Sequence, residues 1–398
     1  MEIKIKNTFA GYPRKRGPAG IRNVVLVIAG DLCCNPYALE IAAPFDNCHA
    51  LIHKHGVGNY GPDRELFRRL ISNITIHPNM AGFVFVSSGN EDHPPEDMVR
   101  LAGQFGKSFR VVSIPKEKPG GNVVSRGIEY AQALSDAASR ARRVLVDIAS
   151  LRIGLNCAGT DVASGQTVHR LCGRLADVLV GLDATVLFSE TPDLIGVEKE
   201  LFRRCSRPAD RKMLKTGFRS HKQRLAAGGE NISDVELGGF NISGGLKTLR
   251  QKAHISLMKA GTSPIREAVD YGEIPSKHGL VFADGPAMSD FVITGYMASG
   301  VHLIINTCGA GAGNQMPFIV GADVPSPIIP TVKLTASRTH FRQKSCRIDF
   351  DASEFGNKRK ATVSSLLSLV VAVASGKRSR TETGGDFMLN IPAKFYQA

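Results

Sequence analysis

The chain has no tryptophan, and aromatic residues make up only 7% of its 398 residues. Nucleic-acid surfaces set aromatic rings among clustered basic groups, and few such rings are available here. The basic excess, a formal net charge of +14, is spread along the chain instead of gathered in it. Arg14-Lys15-Arg16, Arg68-Arg69, Arg203-Arg204 and Lys377-Arg378 lie far apart. Such dispersal suits solvated helix faces and attraction for small anions, so no nucleic-acid partner is expected. No apolar run approaches the roughly 20 residues that span a bilayer. The opening Met1-Glu2-Ile3-Lys4-Ile5-Lys6 has no apolar signal core. A cytoplasmic protein without membrane contact is expected. The eight cysteines form no Cys-x-x-Cys pair and have no regular spacing, which argues against a disulfide framework.

Glycine, in contrast, is plentiful at 41 residues and has no fixed period, which suits the tight turns of an α/β protein. Apolar runs predict strands over 24–29, 50–53, 82–87 and 110–114, and helical spacing predicts helices over 63–76, 96–105 and 122–141. The second half continues in the same style. Strands are predicted over 144–153, 184–188, 280–282, 301–306 and 330–334, and helices over 167–180, 193–205, 209–226, 245–259 and 363–374. The stretch 228–245 is rich in Gly, Asn and Ser and is predicted as a functional loop, and 376–385 as a solvated tail. Alternating elements of this kind predict an α/β fold. We expect two Rossmann-like parallel-sheet domains with helices on both faces, 1–145 and 146–398.

The densest chemistry lies in Gly154-Leu155-Asn156-Cys157-Ala158-Gly159-Thr160-Asp161-Val162-Ala163-Ser164-Gly165. A strand-to-helix turn presents N–H groups and side chains at the carboxyl edge of a sheet, where α/β proteins place their sites. A second predicted strand ends in Ser189-Glu190. Glu91, Asp161 and Glu190 are carboxylates at predicted strand ends, where Asp161 and Glu190 also suit helix N-capping. His53 and His55 lie in a glycine-rich loop, and either suits a general base or a solvated hydrogen-bonding role. Lys252 and Lys259 lie on a basic helix and suit a carboxylate partner, a base or a solvated surface. Gly309-Ala310-Gly311 offers backbone N–H groups to a substrate carboxylate. Pro317 and Pro325 interrupt the residues after these glycines, so a dinucleotide loop is not expected.

These segments, in this order, resemble the altronate/galactarate dehydratase family. The opening Gly11-Tyr12-Pro13-Arg14 through Arg22-Asn23, the strand ending at Cys33, His53 with Gly56 and Gly58, Gly89-Asn90-Glu91, the Cys157 loop, Lys252 and Lys259-Ala260-Gly261 all fall on family motifs. Family positions held by cysteine read Val57 and Asn90, and the family's Thr-Thr-Gly-Arg-Gly reads Thr307-Cys308-Gly309-Ala310-Gly311. The family's Pro-Gly-Asn-Lys loop reads Gly239-Phe240-Asn241-Ile242.

The resemblance implies a lyase that dehydrates a sugar acid such as altronate or galactarate. The proton removed lies beside a carboxylate and is weakly acidic, so a divalent metal or fixed donors must hold the developing enediolate. An acid must then help hydroxide leave. The resemblance implies iron(II) or manganese(II), and Cys33, His53 and Cys157 are the candidate ligands, thiolate and imidazole suiting iron better than magnesium. The implied catalytic set is His53, His55, Glu91, Asp161, Glu190 and Lys252, and the implied substrate contacts are Ser164, Ser189, Asn241, Lys259, Gly309 and Gly311. A small β-rich, SAF-like partner subunit and a homo-oligomer are expected. Carbon–sulfur elimination of the sulfolactate sulfo-lyase type is the alternative chemistry. A metal-free ligand-binding or regulatory protein is the alternative class.

Overall fold

The computed structural model describes residues 7–93, 95–115, 122–229, 237–309, 326–343, 347–382 and 387–392. In chain order its strands are β1 (Thr8–Gly11), β2 (Val24–Ala29), β3 (Cys48–His53), β4 (Met80–Ser87), β5 (Ser108–Ser113), β6 (Val144–Asp147), β7 (Arg152–Gly159), β8 (Thr185–Phe188), β9 (Ile265–Val269), β10 (Gly279–Ala283), β11 (Leu303–Cys308), β12 (Thr331–Thr335), β13 (Phe350–Asp351) and β14 (Phe387–Leu389). The helices are α1 (Asn35–Ala42), α2 (Gly61–Thr75), α3 (Pro95–Gln104), α4 (Val123–Arg140), α5 (Val162–Gln166), α6 (Val168–Gly181), α7 (Glu198–Arg204), α8 (Pro208–Ala227), α9 (Gly239–Ser243), α10 (Leu249–Met258), α11 (Ser289–Ala298), α12 (Arg338–Arg342) and α13 (Arg359–Ala374).

The strands build two parallel sheets, ordered β14-β3-β2-β4-β5 and β13-β12-β11-β7-β8-β10-β9, and a small antiparallel ribbon of β1 with β6. Sequences such as Val24-Val25-Leu26-Val27-Ile28-Ala29 are apolar throughout because helices cover both sheet faces. The helices show the matching stripes. α2 buries Leu66, Phe67, Leu70, Ile71 and Ile74, and α6 buries Leu171, Cys172, Leu175 and Leu179. The α/β class and the parallel sheets are those expected.

Each sheet has a central place where the strand order reverses, and in the large sheet β9 and β10 are also transposed at the edge. In the first, β2 lies between β3 and β4; in the second, β7 lies between β8 and β11. At such a switch point the connections leave in opposite directions and open a crevice beyond the strand ends. The sheets share one apolar cluster, in which Phe83, Phe85 and Leu70 meet Tyr296, Met297 and Ile304. Their junction is polar as well as apolar. His77 Nδ1 accepts from Asn79 N–H, so Nε2 donates to Val301 O at 2.9 Å. His302 Nδ1 accepts from Arg152 N–H, so Nε2 donates to Ala19 O at 3.0 Å.

Three details differ from the sequence expectation. The strand expected over 144–153 is two strands. The Asp147 side chain caps a 3-10 turn over Ile148–Ser150, so β6 pairs with β1 and β7 starts afresh in the large sheet. β7 then continues to Gly159, so half of the expected loop is strand. Beyond the expected tail, β14 returns to the first sheet beside β3.

Candidate active site

At the switch point of the large sheet, Thr307 of β11 faces Cys157 of β7, and Cys308 faces Gly159. The chain then turns into α5. Asp161 caps that helix: its Oδ1 accepts from Ser164 N–H, and Ser164 Oγ accepts from Asp161 N–H at 2.9 Å. Gly309 comes directly after β11, and a Cβ there would stand 2.3 Å from Asp161 Oδ2, so only glycine allows this approach. The α9 segment lies over the turn. Asn241 Nδ2 donates to Thr160 O at 2.8 Å, and Gly244 O accepts from Val162 N–H at 3.0 Å.

Glu190, just beyond β8, has φ 74° and ψ 54°, a left-handed conformation rare for a non-glycine residue. Strain of this kind persists where the surroundings impose it, commonly at functional sites. The Glu190 carboxylate accepts a hydrogen bond from Lys259 Nζ, and both side chains are 1% exposed. Burial pushes the Glu190 carboxyl up to about 7, against the pull of Lys259. Burial also opposes charge on Lys259, but Glu190 holds its ammonium above the ordinary lysine value. The result is a proton acceptor tuned near neutrality beside a fixed cation.

The Cys157 thiol completes the cluster. His169 Nδ1 lies 2.9 Å from Ile255 O, a pure acceptor, so Nδ1 carries the proton and Nε2 is left to accept. Nε2 stands 3.2 Å from Cys157 Sγ, so the thiol donates to it. Burial pushes His169 down to about 4, and the Lys259 charge adds to the effect. Thr160 Oγ1 bridges Cys157 Sγ at 3.4 Å and Ser256 Oγ at 3.3 Å. A tuned carboxyl, a buried cation and a thiol–imidazole pair can together take a proton, steady an anion and return a proton.

The other expected residues separate. Ser189, buried, precedes Glu190 on the same strand end. Lys252 Nζ donates to Asp193 Oδ1 at 2.8 Å in a partly exposed ion pair, and Asp193 in turn acts electrostatically on Glu190 and Lys259. Gly311 lies outside the described residues. Cys33, His53, His55 and Glu91 belong to the switch point of the first sheet. His53 is fully buried with both ring nitrogens engaged: Nε2 is 2.7 Å from Ala29 O, and Nδ1 accepts from His55 N–H at 3.3 Å. Burial pushes it down to about 4. His53 therefore has no lone pair free for a metal and no role as a base. Glu91 Oε1 accepts from Ser88 N–H at 2.6 Å and closes the turn after β4.

The expected ligand set of Cys33, His53 and Cys157 is not assembled. Cys33 lies in the 3-10 turn Leu32–Cys34 after β2 and His53 ends β3, whereas Cys157 lies in β7 of the other sheet with its sulfur engaged by His169. Among the described residues no group of three or more His, Cys, Asp or Glu side chains is placed to hold a metal. His53, with both ring nitrogens engaged, does not fit a ligand of an iron(II) or manganese(II) centre. Sequence reasoning missed His169, Thr160 and Ser256. The available signal was a histidine on the apolar stripe of α6, where a polar side chain needs a specific partner.

Comparison with known proteins bears on the same segments. The family model "D-galactarate/Altronate dehydratase, C-terminal" matches residues 148–395, which carry the whole cluster. "D-galactarate dehydratase/Altronate hydrolase, second domain" matches residues 11–139. The chain belongs to the D-galactarate/altronate dehydratase family. It is 26% identical to altronate dehydratase of Bacillus subtilis over 93% of this chain and 74% of that protein. Altronate dehydratase of Escherichia coli is also 26% identical, over the same shares of the two chains. A third relative, "(2R)-sulfolactate sulfo-lyase subunit beta" of Chromohalobacter salexigens, is 26% identical over 97% of both chains.

Proposed function

We propose that this protein is a lyase that removes water from a sugar acid such as altronate or galactarate. The observation that carries this reading is the strained, buried Glu190 hydrogen-bonded to Lys259 at the switch point, inside the segment that matches the family. The Glu190 carboxylate takes the proton beside the substrate carboxylate. Lys259 holds the negative charge that develops on the carboxylate oxygens. The Cys157–His169 pair is the nearest other proton carrier, and we assign Cys157 the proton that leaves with the hydroxide. The C–O bond breaks with its electron pair on oxygen, water departs, and the enol becomes a 2-keto-3-deoxy acid. Proton return from Glu190 to the thiolate resets the site. Asn241 and the backbone at Gly309 flank the crevice and are the proposed substrate contacts, with Ser164 behind them. No step is routed through a metal.

A second reading rests on the near-complete mutual coverage with the sulfo-lyase subunit. Sulfite leaves as a stable anion and needs no proton, so the same base and cation suffice. That relative's description as a subunit also supports a partner subunit for this chain. The test is to incubate purified protein, alone and with co-purified partners, with altronate, galactarate and (2R)-sulfolactate. Keto-deoxy acid formation supports dehydration and sulfite release supports the second reading. Neither product from any preparation contradicts both. Full activity of the isolated chain contradicts the partner.

A further inference from the structure

We propose that the cleft between α6, the turn after α10 and the start of α13 binds a compact, doubly charged oxyanion. This site lies on the outer face of α6, whose inner face carries His169, and it does not depend on the lyase reading.

The cleft has a volume of about 290 Å³, at the small end for ligand pockets. Arg170 and Arg174 line it from successive turns of α6, and Arg359 lines it from the first residue of α13. All three are exposed, and none has an ion pair or side-chain hydrogen bond with the described residues. Like charges one helical turn apart repel, so an anion between them would relieve a standing penalty. The sixteen-residue helix α13 opens here with no side-chain cap at Lys358. Its unsatisfied first-turn N–H groups add to the positive end of the helix dipole.

Gly173, Gly261 and Gly356 keep the cleft open between the side chains of Leu257, Met258 and Phe355. A Cβ on Gly173 would stand 2.2 Å from Met258 O, so α6 meets the turn closely and leaves the arginine side open. Two carboxylates also line the cleft. Asp177 is committed to the turn, its Oδ1 accepting from Thr262 and Ser263 N–H, both at 2.9 Å. Glu200 stands 4.0 Å from His254 Nδ1. The three guanidinium groups are the cations left to take an anion, and their planar forks match two charged oxygens. A phosphate group and a short dicarboxylate share that chemistry, and the volume admits either.

Calorimetric titration of the full chain with inorganic phosphate and with succinate, at constant ionic strength, tests the proposal. Saturable binding at one site per chain is expected, and the tighter of the two anions names the source. Each arginine replaced by alanine weakens it about tenfold or more, with circular dichroism unchanged. Arg170→Ala with Arg174→Ala is the main variant, and Arg359→Ala alone decides if that pair fails to fold. Absence of saturable heat with both anions overturns the proposal. So does binding that survives the variants, or saturable binding of polyglutamate alone, which would make the cleft a docking point for an acidic chain.

Discussion

Lys259→Met removes a buried cation and leaves Glu190 free to protonate, whereas Glu190→Gln leaves the ammonium buried with no counter-charge. Glu190→Gln should therefore be the more destabilising, by about 3–5 kcal/mol, and the double variant should recover much of that loss. Urea midpoints measure both. Activity should show a different pattern: it falls by about 10²–10⁴-fold in Glu190→Gln and is not restored in the double variant, because the base is gone. The pH profile carries the same signature. Glu190 must be ionised to act, so kcat/KM should rise with pH through about 7, the value that burial gives it. A profile flat from pH 5 to pH 9 would count against Glu190 as the base. Cys157→Ser should slow hydroxide elimination more than sulfite elimination, and equal losses would count against its role as the acid. At this scale the family resemblance singled out Lys259 in sequence, and the strand-end rule singled out Cys157 and Glu190. It misplaced His53, because nothing in a glycine-rich loop reveals that Ala29 O and His55 N–H occupy both ring nitrogens. It missed His169 because its partner, Ile255 O, comes from a helix 86 residues away.

Elements were legible where burial is one-sided. β2 was predicted with its observed ends, and α2, α4, α6 and α8 within a few residues, because each helix shows an apolar stripe against a polar face. α11 was not predicted. Every residue from Val292 to Ala298 is buried, so no stripe exists to read. β9 was missed because five residues containing Arg266 and Glu267 give little alternation. Packing between elements makes its own prediction. Gly173→Ala drives a methyl group against Met258 O, at 2.2 Å before relaxation, and should cost about 1–3 kcal/mol. An unchanged urea midpoint would show that α6 and the turn after α10 are less closely apposed than described.

The whole molecule depends on the seam between its sheets. No sequence pattern marked that seam, because the bonds from His77 to Val301 O and from Asn79 to His302 O join groups more than two hundred residues apart. His77 and His302 are buried there beside Lys107 and Arg152. Burial pushes His302 down to about 3 and His77 well below the ordinary 6.5. The folded state keeps both neutral while the unfolded chain takes up protons near pH 6.5. Their contribution to stability is therefore complete above that value and is lost on acidification, for His302 as pH falls toward about 3, at up to about 1.4 kcal/mol per pH unit. Glu190 acts in the opposite sense between 4.5 and about 7 and partly offsets the loss. Thermal melts should show a falling midpoint on acidification, with a shallower slope in His302→Gln. An unchanged slope would remove His302 from the account. No helix among the described residues is long and apolar enough to cross a membrane.

The most direct test of the central claim is product formation from altronate and galactarate in deuterium oxide by the native protein and by Glu190→Gln. The account predicts a 2-keto-3-deoxy acid carrying solvent deuterium at the new methylene from the native protein, and almost none from the variant. Undiminished product from Glu190→Gln would contradict it.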